Sequence, residues 1–212
     1  MNMRYEIIQT QPYKEAVFAI RKSSGENIGN AVRLQKGNNG FTGFEVEFLD
    51  YHIRMKYMTS LWFRWKNGLK FWSPLGNAIC YFFQDDIKCG ELCKYSNGTY
   101  VMQMNDQFYT MGTVGFGSEG IKFPVFEGEF KKTATRGKQI ALIETPNLAQ
   151  KLNNYEITAL GEWEGLVAAL YGIYVDYVTF SINDSHYRKT YLDTFNKQNS
   201  LYDPAFKGQI VD

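Results

Sequence analysis

The chain predicts a mainly β fold: a closed antiparallel barrel of about twelve strands wrapped around one buried, C-terminal hydrophobic helix. Three observations carry this. Short β-prone runs recur about every 8–12 residues, separated by turn residues, as in a sandwich or barrel. The stretch Gly165–Phe180 has helical character and is apolar on every side. Aromatic residues are abundant, with 15 Tyr, 16 Phe and 4 Trp, and such side chains fit pleated, half-buried surfaces.

The strands follow in order from Tyr5. Val17–Lys22 ends at Ser23-Ser24-Gly25, and Asn30–Gln35 ends at Lys36-Gly37-Asn38-Asn39-Gly40. Phe41–Phe48 alternates, with Phe44, Val46 and Phe48 on one side. Leu61–Lys66 and Leu69–Trp72 flank Asn67-Gly68, the strongest short hairpin signal. Ala78–Gln84, Gly90–Lys94, Tyr100–Asn105, Gln107–Gly112, Gly120–Pro124 and Gln139–Glu144 continue the pattern. One sheet of that size curls and closes, and a barrel of about twelve strands is too wide for side chains alone to fill. The helix supplies the filling. In Gly165–Phe180, Leu166, Leu170, Ile173 and Tyr177 lie on one face, with Val167, Tyr171, Tyr174 and Val178 on others. A helix apolar all round is enclosed by lipid or by protein. Its length of roughly 24 Å is short of the ~30 Å hydrocarbon core, and Asp176 is costly in lipid, so the prediction is enclosure by protein with no transmembrane span.

The 212 residues fit one domain, the barrel at 1–180 with its helix at 163–180, followed by a polar extension at 181–212. In the extension Asp184 or Ser185 caps a short predicted helix, which carries Tyr187, Tyr191 and Phe195 at helical spacing. That stripe packs on the barrel or binds a partner; packing is the expectation. Lys+Arg 23 against Asp+Glu 22 leaves a net charge of +1, so no global field recruits nucleic acid or membrane, and such binding needs a local patch. The odd number of cysteines (Cys80, Cys89 and Cys93) and the absence of a basic-then-apolar run in Met1–Glu6 predict a reducing, cytoplasmic setting.

The later part of the chain resembles the tubby C-terminal-like superfamily, which includes tubby domains, plant LURP-one-related proteins and phospholipid scramblases. It is similar above all to small bacterial tubby-like proteins. The residues that carry the resemblance are Lys138–Thr145, Asn154–Ile157, Leu166–Leu170 and the closing Tyr174-Val175-Asp176-Tyr177, with Phe180 three residues on. It covers about residues 75–180. The resemblance implies a twelve-stranded barrel around a central helix, and functions that run from phosphoinositide binding in tubby to lipid-associated roles in scramblases. The calcium-binding and palmitoylated segments of scramblases have no evident counterpart here.

Several motifs have bland readings. Gly115–Gly120 formally matches a dinucleotide fingerprint but is followed by a strand-like run with Pro124, so it reads as a glycine-rich turn. Cys89 and Cys93 make one pair where structural zinc needs four ligands, and they read as packed or exposed thiols on one strand face. Asp184-Ser185-His186 lacks the geometry of a catalytic triad, and Asp85-Asp86 reads as a turn. Asp176 reads as a hydrogen-bonded structural carboxylate near the barrel rim.

Two features point to binding. In the hairpin, Trp62, Arg64 and Lys66 share one face, joined by Lys70 and Trp72. An aromatic and cationic face suits a lipid headgroup interface, and also base stacking. Lys131, Lys132, Arg136 and Lys138 form a second basic run, suited to a phosphorylated headgroup. The expectation is a non-catalytic, cofactor-free binding or adaptor protein, cytoplasmic or peripheral to the membrane. Its predicted partners are anionic phospholipid headgroups or a protein, with nucleic acid not favoured and no metal site expected. The alternatives are a protein-binding module that uses the C-terminal segment and an enzyme with a barrel-mouth site near Asp176.

Overall fold

The structure is a computed structural model that describes residues 3–11, 16–34, 42–58, 75–95, 99–115, 121–128, 137–145, 154–177, 203 and 205–207. The strands are β1 (Met3–Gln11), β2 (Val17–Lys22), β3 (Asn27–Leu34), β4 (Thr42–Phe48) and β5 (Tyr51–Met58). Then follow β6 (Leu75–Gln84), β7 (Ile87–Tyr95), β8 (Tyr100–Met104), β9 (Gln107–Met111) and β10 (Val114–Gly115). β11 (Ile121–Glu127), β12 (Gln139–Thr145), β13 (Asn154–Ala159) and one helix, α1 (Glu162–Val175), complete the described elements.

Every pairing is antiparallel, and the order runs β10-β11-β12-β13-β1 through β9. β11 also pairs with β9, Val125 to Glu127 against Met111 to Tyr109, and this closes a ring of twelve strands with β10 as a short spur. The spur has a physical cause. Pro124 lacks an N–H, so opposite it the β9 edge breaks at Gly112-Thr113, where the Gly112 N–H donates to the Pro124 carbonyl (3.1 Å) and Pro124 has no N–H to return. The chain then resumes pairing with β11 as β10.

Alternation decides which side chains fill the barrel. Ile53, Met55 and Tyr57 of β5 point inward and are fully buried, as are Phe44, Val46 and Phe48 opposite them on β4. The sequence reading did not single out β5, although Tyr51–Met58 alternates strictly. The hairpin predicted at Leu61–Trp72 lies outside the described residues.

α1 runs through the ring. Every residue from Gly165 to Val175 is buried. Tyr174 meets Tyr57 of β5 and Tyr100 of β8, with ring centroids 5.8 and 5.9 Å away. The Tyr171 hydroxyl donates to the Tyr109 carbonyl of β9 at 2.7 Å, and Gly165 lies against Tyr5 of β1 and Phe48 of β4. Glu162 and Glu164 in the first turn complement the helix dipole. The α-helical part is described to Val175. After Val175, Asp176 and Tyr177 form a π-turn, and residues 178–180 lie outside the described residues. The wider turn goes with two contacts: Tyr177 stacks on Tyr57 (4.0 Å), and Asp176 accepts a bond from the Tyr155 hydroxyl (2.8 Å).

A second, smaller apolar layer lies outside the ring. Leu142 faces outward between the inward Ala141 and Ile143, yet it is fully buried. Phe206 is 3% exposed, and Lys207 pairs with Glu144 on the same outward face of β12. This piece of the C-terminal segment therefore packs in cis; Tyr187, Tyr191 and Phe195 lie outside the described residues. Phe206→Ala is expected to cost about 2 kcal/mol, less than a central core Phe because a surface segment can settle into the gap. Thermal melting checks this, and an unchanged transition would detach the segment from the fold.

Candidate functional site

The chemistry-bearing groups of the described residues fall into an interior set, an outer face and two barrel ends. The interior set surrounds the end of α1. Asp176 is 2% exposed and held by Tyr155. Near it stand Tyr57, Tyr174, Tyr177 and Cys80, with the Arg33 guanidinium 5.6 Å from the Tyr177 ring. Burial pushes the Tyr57, Tyr171 and Tyr174 hydroxyls and the Cys80 thiol up, away from ionisation. At the other end of the helix, burial first and then Glu162 and Glu164 push Tyr5 up to about 12. These groups stay neutral near pH 7, so they pack and hydrogen-bond rather than supply an ionised nucleophile or base.

The outer face of β5, β6 and β7 alternates cations with rings. The Lys56 ammonium lies 4.6 Å from the Phe83 centroid, and that of Lys88 lies 4.2 Å from Tyr81. Arg54 bridges Glu45 (3.2 Å) and Asp86 (2.5 Å), and Lys88 also pairs with Glu91 (2.7 Å). The sequence reading missed this surface. Its signal was Lys56 at outward parity on β5 facing Tyr81 in register on β6.

The helix axis separates the two barrel ends. Tyr51, at the start of β5, packs on Trp163 near the helix N-terminus, whereas Tyr57, near the end of β5, packs on Tyr174 and Tyr177. The chain from β5 to β6 therefore leaves and re-enters at the end where α1 finishes. The chain from β11 to β12 does so at the opposite end, because Glu127 pairs with Tyr109, whose hydroxyl accepts a bond from Trp163 (2.8 Å). The tight turns of that opposite end carry Glu26, Asp50, Asp85, Asp86 and Asp106, and neither Lys nor Arg. Asp85-Asp86 and Asn105-Asp106 have positive φ at both positions, which a two-residue hairpin needs and which Asn and Asp tolerate. Asp85-Asp86 is thus the turn that the sequence predicted.

Of the predicted binding residues, only Lys138 is described: it is exposed, and its carbonyl accepts the Glu127 N–H at 2.9 Å. Trp62, Arg64, Lys66, Lys70 and Trp72, with Lys131, Lys132 and Arg136, lie outside the described residues. The strand ends that anchor the two groups stand at opposite ends of the barrel, and the structure does not bring those anchors together. Cys89 and Cys93 are half-buried on β7 and neither is in a disulfide. Among the described residues no three His, Cys, Asp or Glu side chains gather as metal ligands, and no helix is long and apolar enough to cross a membrane. No family model, curated protein or solved structure matches the chain.

Proposed function

We propose that this chain is a non-catalytic, tubby-like binding protein that recognises anionic phospholipid headgroups, phosphoinositides among them, at a membrane surface. The observation that carries the reading is the filled barrel. With Gly165–Val175 buried on all sides, the interior is a packed core, and a ligand must be met by the rims or the outer surface. The sequence segment with Trp62, Arg64, Lys66, Lys70 and Trp72 connects β5 to β6, whose described outer face carries lysines over aromatic rings. Tryptophan suits the headgroup boundary, and the cations suit phosphate.

The alternatives carry less. A barrel-mouth enzyme needs a reachable acid or base, and Asp176 is sequestered and tied to Tyr155. A partner-binding tail is less supported, because in its described part Phe206 is buried and Lys207 pairs with Glu144 of the barrel.

Co-sedimentation with vesicles containing phosphatidylserine or a phosphoinositide, at two salt concentrations, tests the proposal. Wild type is expected to bind and to weaken at higher salt. Arg64→Ala with Lys66→Ala is expected to lose roughly 20–30-fold in affinity at low salt, from about 1 kcal/mol per cation near the surface. Stability should change by less than about 1 kcal/mol. Wild type that ignores anionic vesicles at low salt would end the lipid reading.

A further inference from the structure

We propose that the outer face of β11, β12, β13 and β1 is a docking site for a protein segment that presents an aromatic side chain followed by several cations, and that Phe206-Lys207 of this chain sits there as a weaker, internal occupant. The inference is independent of the headgroup reading above.

The face is built from two rows of outward residues. Pro124, Leu142, Thr158 and Arg4 stand opposite one another in register across the four strands. Pro124, Leu142 and Thr158 are buried, although an outward position on a barrel strand points away from the core. The adjacent row is Lys122, Glu144, Glu156 and Glu6, again in register, with Arg21 of β2 opposite Glu6. Three carboxylates thus stand side by side on β12, β13 and β1. Like charges directly opposite one another in a sheet repel.

One occupant is already seated. Lys207 pairs with Glu144, which is 8% exposed and also holds Lys122 at 3.3 Å. Phe206, the preceding residue, is 3% exposed. A turn closed by Asp203 presents the pair: the Ala205 N–H donates to the Asp203 carboxylate (2.9 Å), and the Phe206 N–H to its carbonyl (3.2 Å). The tail therefore shows the chemistry that the face accepts, an aromatic ring with a cation one residue on.

The tail does not use all that the face offers. Lys207 answers Glu144 alone. Among the described residues Glu156 and Glu6 form no ion pair, with Arg21 or any other cation. Glu156 is exposed and Glu6 half-buried, so both stand open to a partner. The internal occupant is held by one ring and one described ion pair, and such a segment opens locally at far lower cost than the barrel unfolds. A segment with the same ring and further cations meets Glu156 and Glu6 as well, and gains two ion pairs over the tail.

Fluorescence anisotropy with full-length protein and labelled peptides tests this. The first peptide copies Leu201–Asp212 of this chain. The second carries Gly208→Lys and Gln209→Lys, which add two cations, and the third adds Phe206→Ala to the second. Wild type is expected to bind the second about fivefold more tightly than the first, from two exposed ion pairs, and not to bind the third. Glu6→Gln with Glu156→Gln in the protein is expected to remove that preference. Phe206→Ala in the protein vacates the face and is expected to raise affinity for the second peptide about tenfold. Lys207→Ala, at a side chain 43% exposed, vacates it without touching a buried ring, and the expected gain is about threefold. No binding of the second peptide by the vacated variants would overturn the proposal. So would affinity that neither vacating change raises, a preference that survives Glu6→Gln with Glu156→Gln, or equal binding of the third peptide. Sedimentation is expected to find wild type monomeric. A dimer that Phe206→Ala dissociates would assign the face to the tail of a second copy and overturn the separate partner.

Discussion

Leu170→Asp is expected to abolish cooperative folding. Leu170 sits in the middle of α1 and is fully buried. Its neighbours along the helix, Val167, Ala169, Tyr171 and Tyr174, are buried too, so no rotation of the helix brings a carboxylate there to water. An unpaired charge in such a site costs several kcal/mol, comparable to the whole stability of an ordinary domain. The helix also cannot be dispensed with. Residues from β1, β4, β5, β8 and β9 rest on it, and a ring of twelve strands without a filling leaves apolar walls facing a void. The expected result is insoluble protein, or a soluble species without a melting transition. A soluble variant that melts like wild type would remove the central-helix description. Leu170→Met is the control: volume-conserving, it is expected to cost under about 1.5 kcal/mol and to retain a cooperative transition.

That result would bear on the part of the fold most legible in the sequence. Gly165–Phe180 is apolar at every angle, and the only physical question was what encloses it. The strand count followed from turn spacing, and alternation identified the inward Phe44, Val46 and Phe48 correctly. Other features were illegible for definite reasons. The π-turn at Asp176-Tyr177 depends on Tyr57 and Phe44 being in place to receive the Tyr177 ring, which is a tertiary condition. The outer burial was hidden because Leu142 and Phe126 read as ordinary members of strands buried on one side, and pattern alone cannot show that their outward face is covered as well. The break between β9 and β10 was partly visible in Pro124, but which neighbour would lose its hydrogen bond depends on the pairing. For the candidate site, the residue types were legible and their disposition was not. Lys66 and Lys138 read alike as cations in connecting segments. Only the alternation of strand direction around the ring puts the strand ends that lead into their connections at opposite ends of the barrel.

Gly43→Ala is expected to be strongly destabilising, and more so than Gly25→Ala. Gly43 on β4 pairs with Lys56 on β5. A Cβ built on it would fall 1.8 Å from the Met55 carbonyl oxygen and 2.9 Å from the Met55 carbonyl carbon. The obstacle is backbone, so no rotamer change relieves it, and β4 and β5 must separate. Their separation disturbs the inward faces beside it, where Phe44 meets Phe18 (5.9 Å), Tyr57 (6.3 Å) and Tyr177 (6.4 Å). Overpacking of this kind costs about 3 kcal/mol, which for a chain of this size lowers the melting temperature by about 6–12 °C. Gly25→Ala is the informative comparison. Gly25 has φ of +87° in the β2–β3 turn, but nothing lies within 4 Å of its added Cβ. Its cost is conformational alone, about 1–2 kcal/mol. Calorimetry on the two variants separates close backbone approach from backbone strain. If Gly43→Ala melts at or above Gly25→Ala, then β4 and β5 do not approach so closely at Gly43, and the curvature that closes the barrel must be set elsewhere along the ring.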